Sequence, residues 1–524
     1  MKKFSLLLEN IIFSPSTKRK IDLISKYFQT TDIKEKGFAL GILAGKYKLS
    51  IFGPSKLKIL IKKHVDPFLF DLSYDYVGDL AETIALIWPL RKKGDLPSLS
   101  EFFIKLKDLP EPESLKYIEE CLSISDTTQR WTIIKLLSGG LRIGLSERLT
   151  KIALANYSYK PLDRIEKIWH GLETPYKNLF LWLDGKGDEP KIDVHKIFHP
   201  LMLSTPININ KEKKFIHPKD FLAEWKWDGI RVQLIITDSR TTLFSRNGDN
   251  ISNSFPELNI KSKNEVVIDG ELLVGKNFVP ESFNKLQQRL NRKKIPKKYL
   301  ELYPAFVRAY DILFYNKVDL RSNDCVTRRN YLKEWHKREN PVGIDLSQFI
   351  SFQSFDELKK IKRKGEEKNG FEGIMLKRKQ SQYISGRPAH MWYKWKRDPK
   401  QIDAILMYAQ RGHGKRSSYY SDFTFGLMDG ENIVPIGKAY SGFTNEELKK
   451  LDHFVRQNTI KKYGPVREVK KKLVLEISFD DISKSSRHKS GVALRFPRIT
   501  FIRWDKPVEQ VECLENAKKY FKIS

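Results

Sequence analysis

EWKWDGIR, residues 224–231, sets Lys226 between two tryptophans and runs straight into an Asp-Gly pair. Period-two alternation predicts a strand with Glu224 and Lys226 on one face, turning at Asp228-Gly229. Asp-Gly is ordinary hairpin chemistry, because glycine accepts positive φ without steric cost. On the return strand Arg231 and Gln233 share a face, with Ile230, Val232 and Leu234 opposite. The chain repeats Asp-Gly at Asp184-Gly185, Asp269-Gly270 and Asp429-Gly430, but only here does a lysine stand two residues ahead of the aspartate. A lysine amine becomes a nucleophile when burial or neighbouring cations lower its pKa. Lysine and arginine at the mouth of a hairpin make a phosphate site. Two solvated charges on a sheet edge fit the segment alone equally well.

Other short stretches decide between those readings. SRNG (245–248) offers Arg246 in a turn, and DGELL places Glu271 inside an apolar strand. An unpaired carboxylate is costly to bury there. FEGIMLK does the same with Glu372, beside Gly373, and MWYKWK alternates Lys394 and Lys396 onto one face between aromatics. Each has a bland alternative, a structural ion pair or an exposed strand face. Together, strand acids, strand lysines and arginines are what metal-assisted phosphoryl transfer needs. Cations neutralise phosphates, and carboxylates hold a divalent ion.

The 524 residues exceed what one core supports, so several domains are expected. Lys and Arg number 95 against 64 acids, a net +31, which favours a polyanionic partner, nucleic acid ahead of an anionic membrane. Cys121, Cys325 and Cys513 are too scattered for a disulfide framework or a thiolate zinc site, which points to a reducing, cytoplasmic setting. MKKFSLLLENIIF mimics a leader, but Glu9 and Asn10 interrupt its apolar run, and no membrane span is expected.

Residues 1–190 read as helical, with SLSEFFIKLKDL and ESLKYIEECLSIS apolar at three- and four-residue spacing. In SGGLRIGLSERLTKIALANYS a glycine-rich turn leads to Ser146 as an N-cap. DGKGDEPKIDVHKIFHP (184–200) reads as a linker. Residues 200–397 mix strands with helical segments such as PESFNKLQQRL. From 398 to 524 the runs AILMYAQRG, DFTFGLMDG, IVPIGKAYSG, LVLEISFDD and RITFIRW surround one helix opened by a Thr444-x-x-Glu447 capping box. Five strands and one helix suit a small oligonucleotide-binding (OB) barrel. The expected class is multidomain α+β: an all-α N-terminal domain, an α+β middle domain, and a C-terminal OB-fold barrel.

The ordered series EWKWDGIR, SRNG, IDGELL, AYDIL, FEGIMLK, YKWK and RFPRITFIRWDK resembles the ATP-dependent DNA ligases, within the covalent lysine nucleotidyltransferases. LLSGGLRIGLSERLTKIALA resembles the signature of the helical DNA-binding domain of the larger ligases. The resemblance implies that 200–397 is a nucleotidyltransferase domain of the ATP-grasp-like ligase kind, with ATP and Mg²⁺ or Mn²⁺ as cofactors, nicked double-stranded DNA as partner, a monomer, and no membrane attachment. It implies that Lys226 attacks the α-phosphate of ATP and is adenylylated. Glu224 would read the adenine amino group, and Arg231 and Arg246 would contact phosphate or ribose. Glu271 would bind the ribose and, with Glu372, the metal. Tyr310 would stack on adenine where most relatives carry phenylalanine; tyrosine keeps the stacking face. Lys394 and Lys396 would grip the α-phosphate, and Arg387 would reach the ribose, although its spacing varies among relatives. Arg495, Arg498, Arg503, Asp505 and Lys506 match the last motif, which orients pyrophosphate in the first step. Arg142 and the amides of Gly139, Gly140 and Gly144 would meet DNA phosphates; the alternative is that these glycines only shape a helix–helix turn.

An mRNA capping-type guanylyltransferase or an RNA ligase shares the lysine chemistry, but neither is expected to carry a long helical DNA-binding domain ahead of the lysine. A non-catalytic DNA-binding scaffold would be expected to have lost Lys226 or the acids. RGHGKRS (411–417) lacks the P-loop glycine and Ser/Thr positions, and reads as a basic DNA-facing loop. The ten histidines show no ligand pairing, so zinc is not expected.

Overall fold

A computed structural model describes the chain except residues 48, 50–52, 78, 90–93, 140, 142, 194, 196, 213–215, 291–294, 366–369, 413–417, 486–487 and 522–524. It divides into two compact units, Met1–Lys160 with Thr174–Gly187 and Asp398–Ser524, and Pro161–Glu173 with Asp188–Arg397.

The first unit begins with helices. The leader-like run forms Lys2–Phe13, whose Phe4, Leu7, Leu8 and Ile11 are buried in the core. Ser146 caps Glu147–Ser158, as the sequence predicts, and Ser98 with Glu101 closes a further capping box on Leu99–Asp108. Fully buried Phe28, Phe102 and Phe180 anchor the packing, each contributing roughly 1.5–3 kcal/mol. Among the described residues no helix is long and apolar enough to cross a membrane.

The same unit holds the barrel. Lys400–Arg411 pairs with Tyr420–Asp429 on one side and with Val474–Phe479 on the other; Val474–Phe479 then pairs with Arg498–Arg503. Asn432–Ala439 completes the run, and Ile499 N donates to Ser441 O at 3.0 Å, curling the sheet onto itself. Asn445–Asn458 is the inserted helix, with the expected capping box at Thr444. Two hairpins were not foreseen: Thr459–Tyr463 with Val466–Val469, and Asp481–Lys484 with Val492–Arg495. Charged and short, they carry little apolar alternation.

The second unit is built on two sheets. One orders Thr205–Pro206, Trp392–Lys396, Phe371–Arg378, Phe221–Trp227 and Phe349–Ile350. The other runs Thr241–Ser245, Ile230–Ile236, Val266–Val274, Ala305–Tyr315 and Val318–Asp319, with Ile344–Leu346 beside Ala305–Tyr315.

This overturns the predicted hairpin. Phe221–Trp227 and Ile230–Ile236 lie in different sheets, so Asp228-Gly229 is a crossing point. Gly229 is needed for space: a Cβ would come within 2.4 Å of Leu272 O. Asp269-Gly270 lies within the strand Val266–Val274, at a register irregularity, and is no turn. Only Gly185 and Gly430 show the positive φ that Asp-Gly chemistry suggests, at 70° and 60°.

Candidate active site

The two tryptophans explain the placement of Lys226. Trp225 and Trp227 leave the strand opposite Glu224 and Lys226 and pack on Phe371, with ring centroids at 4.6 and 4.9 Å. Trp227 Nε1 also donates to Ser347 Oγ at 3.1 Å, and the Arg308 guanidinium lies 4.0 Å over its ring. One face of the strand is thereby fixed, and the other presents the polar groups.

That polar face continues across three strands. Lys226 registers with Gly373, and Gly373 with Lys396; Glu224 registers with Met375, and Met375 with Lys394. Regular alternation would send Glu372 to the face opposite Gly373. The register instead steps from Phe371–Trp227 to Gly373–Lys226, leaving Glu372 as the extra residue of a β-bulge, a device that re-aims side chains. Gly373 makes the bulge possible: its φ is 143°, and a Cβ would meet Trp395 O at 2.2 Å. The re-aimed carboxylate bonds Lys226 Nζ through Oε2 and accepts from Lys396 Nζ through Oε1 at 2.6 Å. Burial alone would raise the Glu372 pKa, but Lys226 and Lys396 outweigh it and hold the carboxyl below its usual range.

Lys394 completes the cationic wall. Burial, then the charges of Arg387, Lys226, Lys396 and Arg246, lower its pKa, so the exposed Arg246 and Arg387 fall within the same field. Arg246 rides on a turn closed by Gly248 N donating to Ser245 O at 2.9 Å. Gly248 has φ 81° and the His170 ring beneath it.

Arg231 is tied into the protein. Its guanidinium bonds Asp269 at 3.0 and 2.6 Å, Met202 O at 2.7 Å and Tyr383 Oη at 3.1 Å. Tyr310 donates to the same Asp269 at 3.1 Å, which fixes its ring. Glu224 pairs with Lys377 at 3.0 Å, both side chains being almost fully buried, and the Lys377 ammonium lies 4.3 Å from the Tyr310 ring centroid. Asp269, Tyr383 and Lys377 were not singled out from sequence. Asp269 looked like a turn residue, Lys377 closed the FEGIMLK stretch without a role, and Tyr383 gave no signal.

Burial pushes the Glu271 carboxyl up to about 8; Lys226 and Arg231 oppose this, while Glu372 and Asp269 reinforce it. The folded protein thus holds a proton that the unfolded chain releases near 4.5. The resulting stability is fully present below that unfolded value and is lost as pH rises through about 8. In metal-free buffer, Glu271→Gln should flatten the fall of the urea midpoint across this window. An unchanged slope would contradict the assignment.

The last-motif residues lie on the barrel, where Arg498, Arg503 and Lys506 each stand beside an acid. Arg498 is 3.7 Å from Asp480, Arg503 bonds Asp505 at 3.0 Å, and Lys506 bonds Asp403 at 2.7 Å. The Arg495 guanidinium lies 5.5 Å from the Phe496 ring centroid. In the helical segment Gly139 and Gly144 have φ of 69° and 65°, and Lys20 Nζ donates to Ile143 O and Gly144 O at 3.1 Å each. Gly140 and Arg142 lie outside the described residues, as does most of the RGHGKRS loop.

A nucleophile-capable lysine against a carboxylate, a lysine wall and a ring on a buried acid make a site for activating a nucleotide phosphate. Residues 201–396 match the ATP-dependent DNA ligase domain, and 416–506 the ATP-dependent DNA ligase C-terminal region. A "Probable DNA ligase" of Koribacter versatilis is 32% identical over 561 residues, covering 100% of this chain and 96% of its own. A "DNA ligase" of Archaeoglobus fulgidus is 28% identical, covering 75% and 71%. The solved structure Pmar-Lig_Pre superimposes with a TM-score of 0.61 at 18% identity over 96% of this chain and 99% of that one, a likeness of fold. By its domain matches and its relatives, this chain belongs to the ATP-dependent DNA ligases.

Proposed function

We propose that this ligase seals nicks in duplex DNA through a covalent adenylate on Lys226. The observation that carries the reading is the β-bulge contact of Glu372 with Lys226, beside Lys394 and Lys396. In the first step the Lys226 ammonium loses one proton, and its nitrogen bonds the α-phosphorus of ATP as the bond to pyrophosphate breaks. The nitrogen then releases a second proton to leave the N–H of a phosphoramidate. Glu372 is the acceptor already in hydrogen-bond contact with it. Lys394 and Lys396, with Arg246 and Arg387, balance the phosphate charge, while Tyr310, Glu224, Arg231 and Glu271 hold the nucleoside. In the second step the adenylyl group passes to the 5′-phosphate at the nick, breaking the P–N bond. In the third a 3′-hydroxyl displaces AMP.

Glu372 and Glu271 fit a divalent ion. Among the described residues no group of three or more His, Cys, Asp or Glu gathers. Mg²⁺ is commonly held by one or two carboxylates, with water and substrate phosphates supplying the rest. When bound, Mg²⁺ or Mn²⁺ would neutralise charge developing on the phosphates.

Residues 1–190 are assigned to gripping DNA, through the glycine-rich segment 138–144, ahead of a nucleotidyltransferase domain at 200–397 and a barrel at 398–524. The three free cysteines favour a cytoplasmic setting, and we assign the working form as a monomer. Because such contacts meet phosphates, affinity of the full chain for nicked duplex should depend on salt and hardly on sequence. A fall of about 10³-fold or more is expected between about 50 and 200 mM salt. Binding that ignores salt, or that changes greatly with the bases flanking the nick, would contradict this assignment.

A further inference from the structure

Asp403 stands on the barrel's first long strand, Lys400–Arg411, 103 residues before Lys506. The fold brings them together: Lys506 Nζ donates to Asp403 Oδ2 at 2.7 Å, and Arg503 NH1 lies 3.5 Å from the same oxygen. Asp505 takes the other edge of the Arg503 guanidinium at 3.1 and 3.0 Å. The two acids differ in setting. The Asp505 side chain is 65% exposed, whereas those of Asp403 and Lys506 are 16% and 19% exposed. Asp403 is therefore the sheltered group at which Lys506 and Arg503 converge.

A lysine has a flexible four-carbon stem and three rotatable donors. One donor fixed on a sheltered carboxylate orders the stem while leaving two N–H for phosphate oxygens. We infer that Asp403 is a positioning residue for the first chemical step, holding Lys506 and Arg503 at the spacing that receives pyrophosphate. This rests on reading the last motif as pyrophosphate-orienting. A solvated ion pair that merely supported the barrel would contribute little to stability and would not distinguish one chemical step from another.

The steps can be separated in the full-length protein. Three rates are needed: formation of protein–AMP from ATP, its reversal by pyrophosphate, and sealing of pre-adenylylated nicked DNA. Asp403→Asn should slow the first two by the same factor, about 10- to 100-fold, because they share one transition state and depend on placement. Sealing should be unchanged. Asp403→Glu should recover much of the loss, since Asp403 and Lys506 line a hollow of about 490 Å³ that accommodates a longer side chain. Asp403→Ser repeats the measurement should the asparagine variant not fold. Protein–AMP formation at the normal rate in Asp403→Asn, or equal slowing of all three reactions, would overturn the inference. Lys506→Ala tests the underlying reading separately. If it leaves the first step intact, the motif does not orient pyrophosphate and Asp403 has nothing to position.

Discussion

Replacing Lys226 by alanine is expected to abolish covalent adenylylation, a loss below any detectable rate. Among the described residues the cations paired with the Glu372 carboxylate are Lys226 and Lys396, and of these two Lys226 stands on the strand that the two tryptophans fix. Arginine should fail as well, because its guanidinium stays protonated and cannot attack phosphorus. The variant should keep its fold, since Trp225 and Trp227, which hold the strand, are untouched. With DNA adenylylated beforehand it should retain part of its sealing activity, because that step no longer needs an amine nucleophile. A Lys226→Ala protein that still forms a covalent adenylate would remove the lysine from the mechanism.

The second large effect is expected at Glu372. Glu372→Gln keeps the side chain's size and leaves the Gly373 bulge in place, but it removes the charge between Lys226 and Lys396. Preorganised charge at phosphoryl-transfer sites is commonly worth about 10²–10³ in rate, and a loss of that order in protein–AMP formation is expected. Lys394→Ala should fall in the same range. Thermal unfolding separates this from a structural ion pair. Should the glutamine variant lose much stability yet keep its activity per folded molecule, Glu372 is part of the scaffold only.

The strands bearing Lys226, Glu271, Glu372 and the Lys394–Lys396 pair were legible because each is a short, largely apolar run interrupted by a few charges. The caps at Ser146 and Thr444 and the barrel's five main strands were legible for similar local reasons. The pairing of those strands was not. Asp228-Gly229 carries the composition of a hairpin turn, yet Gly229 is there because Leu272 O leaves no room for a Cβ. That constraint comes from a residue 43 positions away (272 − 229) and has no local signature. The bulge that turns Glu372 towards Lys226 is equally invisible, since it exists only as an offset between two strands. The supporting acids Asp269 and Asp403 escaped notice because their partners, Arg231 with Tyr383 and Lys506 with Arg503, are distant in sequence.

The most direct test of the central claim is to incubate the full-length protein with Mg²⁺ and either ATP or GTP labelled in the α-phosphate. After acid denaturation, proteolysis and mass spectrometry would locate any label. The expected result is AMP, and not GMP, on a single peptide, attached to Lys226. Label on another residue, an equal yield from GTP, or no covalent nucleotide on a folded, DNA-binding protein would contradict it.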